Sequence, residues 1–139
     1  MMLIELSVLS KLANPLLNPP WENVSPIGPD EVWQRVAAKN FNRNEYGFGR
    51  NWSRELHVER IAYLIQHPST QPIILDFSHP WIIYDGNHRV ASAILTNQET
   101  IWAEVYGPKS KIKLLYEPQS IPQPLRPSHD TPSSQANLS

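Results

Sequence analysis

Residues 82–95 read IIYDGNHRVASAIL, and the rest of the chain is best understood outward from them. An apolar run ends at Tyr84, Gly86 permits a sharp turn, and the period then changes. Val90, Ala91, Ile94 and Leu95 recur at helical spacing, so the stretch predicts a buried strand, a tight turn and a helix. The first backbone N–H groups of a helix have no partner inside it and make an anion pocket out of backbone alone. His88 and Arg89 fall in that first turn, where the helix dipole disfavours positive side chains. A bound phosphate resolves the conflict, because it accepts from the N–H groups and from a guanidinium together. Gly86, Asn87, His88 and Arg89 are therefore the candidate phosphate-binding residues. The plainer reading has Asp85 capping the helix and Arg89 pairing with a surface carboxylate.

Upstream, QPIILDF (71–77) and WIIYD (81–85) read as two strands joined by a tight connection; downstream, TIWAEVYG (100–107) reads as another. Before them, Ser53 caps a helix over RELHVERIAYLIQH (54–67), with Val58, Ile61, Ala62 and Ile65 on one side and Pro68 as its stop. DEVWQRVAAKNF (30–41) forms a short amphipathic helix on Val32, Trp33, Val36 and Ala37. Residues 3–12 begin with a β-like alternation of Ile4, Leu6 and Val8, and the proline-punctuated residues 13–29 form an irregular arm. The order predicts an α+β domain over residues 1–116, a small mixed sheet packed with two to three helices. Residues 117–139, rich in proline and serine, are expected to be a disordered tail. Pro122, Pro124 and Pro127 could present a polyproline II ligand to a protein partner, or simply stay solvated.

The composition bounds the answer. A chain of 139 residues with 40% hydrophobic side chains suits one real core, and a net charge of -1 excludes a histone-like polycation. With no cysteine there is no disulfide framework, thiolate metal site or cysteine nucleophile. The sequence shows neither a membrane-spanning run nor a signal-peptide pattern, so the expected location is cytoplasmic. His57 and His67 lie on different turns of one helix and HVERI is not a zinc-binding HExxH, while no phosphate-loop motif occurs.

The run from the helix at 54–67 through QPIILDF, IIYDGNHRVASAI and TIWAEVYG resembles the ParB/sulfiredoxin superfamily, especially its ParB-like nuclease domains. The resemblance implies that fold and a retained phosphate site at His88 and Arg89. Sulfiredoxins carry a reactive cysteine where Asn87 stands here, so sulfinic-acid reduction is excluded. The segment after Tyr116 is too short and too proline-rich for the DNA-reading helix-turn-helix of chromosome-partitioning relatives. What the resemblance implies is a nuclease acting on DNA. An ATP- or CTP-binding hydrolase or a small-molecule kinase is the alternative, and an inert inhibitor protein of a mobile element a third. In a phosphodiesterase His88 would serve as acid or base, Arg89 would stabilise phosphate charge, and Asp85 would orient His88 or hold Mg²⁺ or Mn²⁺ with Asn87.

A second surface spans residues 39–54. Lys39, Arg43, Arg50 and Arg54 stand against Glu45 alone, with Tyr46, Phe48 and Trp52 interleaved, a pattern suited to following a nucleic-acid backbone while stacking bases. The opposing reading packs Phe48 and Trp52 onto the core. Lys109, Lys111 and Lys113 extend a basic strand end, Trp81 and Trp102 are expected in the core, and Trp21 could cover the pocket mouth but is expected rather to pack the arm down.

Overall fold

The computed structural model describes residues 1–44 and 51–117. Apart from Glu117, the tail and its proposed proline-rich ligand lie outside the described residues, as do Arg50, Phe48, Tyr46 and Glu45.

The chain opens with β1 (Met2–Glu5) and turns directly into α1 (Leu6–Leu12). The strand is shorter than the alternation suggested, because Leu6 and Leu9 share a helical spacing and both are buried. After the irregular arm, α2 (Pro29–Ala38) starts with proline at its first position, where a missing N–H costs nothing. Lys39 ends it in a left-handed conformation. Then follow α3 (Arg54–Gln66), β2 (Ile73–Asp76), β3 (Ile83–Asp85), α4 (Asn87–Leu95) and β4 (Thr100–Tyr106). Ser53 caps α3 as read from the sequence, its side chain accepting from the Leu56 N–H.

The sheet order is β1-β4-β2-β3. β4 pairs antiparallel with β1 and parallel with β2, and β2 and β3 form an antiparallel hairpin with an irregularity at Ile74 and Leu75. The α+β class and the mixed sheet are thus as expected. The helix count is larger: five α-helices among the described residues, because α1 and the short α5 (Lys109–Ile112) join the three read from the pattern. Lys109, Lys111 and Lys113 sit on α5 and the 3₁₀ turn after it (Lys113–Leu115), not on a strand end.

Two apolar clusters hold the layers together. One lies between the sheet and α1/α4 and contains Ile4, Leu9, Ile73, Leu75, Ile83, Val90 and Ala103. The other joins α2, α3 and the outer side of α4 through Leu16, Ile27, Val32, Val58, Ile61, Ala62 and Ala91. α4 is thereby clamped between the sheet and α3. Two tryptophan expectations fail on sidedness. Trp102 alternates out of the core and is 51% exposed, and Trp33 lies off the buried stripe of α2 and is 41% exposed. Trp81 does pack against the first cluster. No helix among the described residues is long and apolar enough to cross a membrane.

Candidate functional site

The DGNHR turn forms as the sequence suggested, and the reason is steric. Gly86 has φ 107°, and a Cβ there would lie 2.5 Å from Ile73 Cγ2. Only glycine lets β3 pass this close to β2 and enter α4 at once. Asn87 locks the entry: its Oδ1 accepts from Trp81 Nε1 at 2.8 Å and its Nδ2 donates to Ile83 O at 3.3 Å. No side chain caps α4, and Asp85 in particular does not. The backbone N–H groups of Asn87, His88 and Arg89 make no hydrogen bond among the described residues, as an anion site requires.

Arg89 is held by the protein itself. Its Nη1 donates to Gln71 O at 2.9 Å and Pro72 O at 3.0 Å, and its Nη2 to Asp85 Oδ2 at 2.7 Å. The guanidinium therefore ties the start of α4 to the chain entering β2, with its side chain only 15% exposed. Asp85, 59% exposed, spends one carboxylate oxygen on that pair. No group of three or more His, Cys, Asp or Glu side chains gathers to hold a metal among the described residues.

His88 points away from the turn and into the layer between α3 and α4. Its Nε2 lies 2.9 Å from His57 Nδ1, a hydrogen bond between two imidazoles 31 residues apart. His57 is fully buried at the start of α3. The indole of Trp21, from the arm, stacks on both rings, with centroid distances of 4.1 Å to His57 and 4.5 Å to His88. Trp52, just before α3, leans over the same pair at 5.4 Å and 5.7 Å but tilted by 54° and 41°. Burial pushes His88 down to about 3, with the positive charge of His57, Arg60 and Arg89 adding to the effect. At neutral pH it is thus an uncharged imidazole, one nitrogen committed to His57, while Nδ1 makes no hydrogen bond among the described residues.

Arg50 of the expected basic surface lies outside the described residues, and the other members are placed as follows. Arg54 clamps the arm to α2: its Nη1 and Nη2 each lie 2.6 Å from a Glu31 carboxylate oxygen, Nη2 is 2.6 Å from Pro26 O, and Nε reaches Ser25 O at 3.3 Å. That contact holds the Glu31 carboxyl below the usual carboxylate range. Arg43 is exposed and lies over the rings of Tyr63 and Phe41 at 5.3 Å and 5.8 Å, and Lys39 is exposed at the end of α2. Of the aromatics, Trp52 joins the histidines instead of either plain solvent or the main core.

His57 is the residue that sequence reasoning missed. It stands on the α3 helix at i, i+4 from the buried Ile61, so a polar group on a core-facing position was legible. Its partner was not, because nothing local connects positions 57 and 88. The molecule is a small α+β domain with a glycine-entered, uncapped helix and an aromatic-walled histidine pair beside it. No family model, curated protein or solved structure matches the chain in comparisons with known proteins.

Proposed function

We infer that the chain is a ParB-like nuclease acting on DNA, with a phosphate bound at the α4 N-terminus and His88 as the proton-transfer group. The observation that carries the reading is the His57–His88 hydrogen bond beside unpaired helix N–H groups. If His88 Nε2–H donates to His57, Nδ1 is a base able to take a proton from water. If His57 donates instead, Nδ1 carries the proton of a neutral imidazole and donates a hydrogen bond to a phosphate oxygen without giving the proton up. His57 thus sets the tautomer, the role a positioning group plays for any catalytic imidazole. A phosphate arriving nearby raises the basicity of His88, since a negative charge favours imidazolium and offsets the burial that now opposes it. Mg²⁺ or Mn²⁺, where bound, would polarise the phosphate, with Asp85 as its protein ligand.

Hydrolysis of ATP or CTP is a second reading, and one observation favours it. Arg54 and Arg89, both expected on phosphate, are engaged inside the protein, so neither is left to follow a DNA backbone, whereas a nucleotide asks for only one short phosphate site. The discriminating experiment incubates wild type, His88→Gln and His57→Gln with single-stranded DNA, duplex DNA and each nucleotide, with and without Mg²⁺ or Mn²⁺. DNA cleavage that falls about 10²–10⁴-fold in His88→Gln, with folding intact, supports the nuclease. Nucleotide turnover with the same dependence and no DNA cleavage supports the second reading. Turnover of neither by wild type overturns both and leaves an inert binding protein.

A further inference from the structure

The sheet has one face covered by α1 and α4 and one face open, and the open face has a consistent chemistry. Leu3 and Trp102 are cross-strand partners there, 50% and 51% exposed, and Tyr106 on the same side of β4 is 52% exposed. Apolar groups of this size left in water beside one another mark an interaction surface. The charges that the strands themselves bring to this face are acidic; Arg89, which lines a cavity with Leu3 and Trp102, is already paired with Asp85. No lysine or arginine occurs in any of the four strands, whereas Glu5, Glu104 and Asp76 alternate onto this same face. Among the described residues, neither Glu5 nor Glu104 forms an ion pair. Lys109, Lys111 and Lys113 belong to α5 and its following turn, whose Ile112 and Leu115 pack against the covered face, and Lys11 belongs to α1.

β1 is also an edge. Beyond its ladder with β4, residues 2–4 make no backbone hydrogen bond among the described residues. An unpaired strand edge is a template for one more strand. We propose that β1 and the adjoining open face receive an extended segment of a partner protein in which apolar residues alternate with lysine or arginine. Such a strand completes the β1 ladder, sets an apolar side chain opposite Leu3 beside Trp102, and sets a cation opposite Glu5. A nucleic acid is the wrong sign for this face. A second copy of β1 fits poorly too: the open-face residues available to oppose Glu5 are Met1, Leu3 and Glu5 itself, so no register supplies a cation.

The test uses the full chain and two short synthetic peptides, one alternating valine with lysine and one alternating valine with glutamate. Binding is followed by peptide fluorescence anisotropy, and amide hydrogen exchange is followed along the protein. The lysine peptide binds, the glutamate peptide does not, exchange slows at residues 2–4, and Glu5→Lys weakens binding about tenfold or more. Trp102→Ser, at an exposed position that leaves the melting temperature near wild type, weakens it as well. Equal binding of the two peptides, no binding of either, or protection confined to another part of the chain overturns the proposal. So does a dimer in sedimentation that Leu3→Lys dissolves, since a second copy would then be the occupant. DNA or nucleotide turnover is not read at any point, so the fate of the proposed enzymatic activity is independent of this result.

Discussion

The starts of α3 and α4 meet in space, each contributes a histidine to the same hydrogen bond and each carries an arginine in its first turn, yet they are built in opposite ways. α3 is closed: Ser53 caps it, and Arg54 bonds back to the arm and Glu31. α4 is open: Gly86 brings the chain in with no capping side chain, and Arg89 reaches away from the helix axis to Gln71, Pro72 and Asp85. A capped helix end satisfies N–H groups within the protein, whereas an uncapped one leaves them to water or a ligand. The first end is built as scaffold, and the second is where the proposed phosphate site lies. The histidine pair is where scaffold and site touch.

The sharpest way to break this contrast is at Gly86. Gly86→Ala puts a Cβ within 3 Å of Ile73 side-chain atoms at a positive φ, so it should destabilise the fold by about 3 kcal/mol or more in chemical denaturation. A variant of near wild-type stability would show that the close approach of β2 and α4 is not what the turn depends on.

Next come the two arginines. Arg54→Ala and Arg89→Ala should each cost about 2–3 kcal/mol, because each leaves acceptors unpaired that the guanidinium now serves. The sequence placed Arg89 among the candidate phosphate-binding residues, and its three protein acceptors add a structural role to that expectation. If phosphate affinity falls while stability holds, Arg89 belongs to the ligand and not to the turn.

The third measurement concerns pH. His88 titrates near 6.5 when unfolded and near 3 when folded, so between these values the unfolded chain binds more protons. Stability therefore rises with pH across that window, and acidifying from 6.5 towards 3 removes it by up to about 1.4 kcal/mol per pH unit from this group. His88→Gln should flatten that part of the curve, and saturating inorganic phosphate should shift its midpoint upward. An unchanged slope in the variant would assign the acid sensitivity to other groups.

The smallest effect lies at the closed end. Ser53→Ala should cost about 1 kcal/mol by loss of the cap and leave phosphate binding unaltered, a result that thermal melts and a phosphate titration together would check. A loss of binding would mean that the two helix ends are not functionally separate.

The sequence by itself determined the local events. A glycine between an apolar strand and a helical period, a serine before a helix and a proline at a first turn each act within a few residues of themselves. The strand–turn–helix at 82–95, the α3 boundaries and the α2 start were accordingly legible. The class of fold followed from the order of those pieces. Partner choice was decided only in three dimensions. Where Arg54 and Arg89 bond, which face of β4 is covered, and that His57 meets His88 under Trp21 all depend on elements tens of residues apart. Periodicity states that a side chain lies on a buried or an open face. Only the stacking of α3 on α4, and of α4 on the sheet, states what stands opposite it.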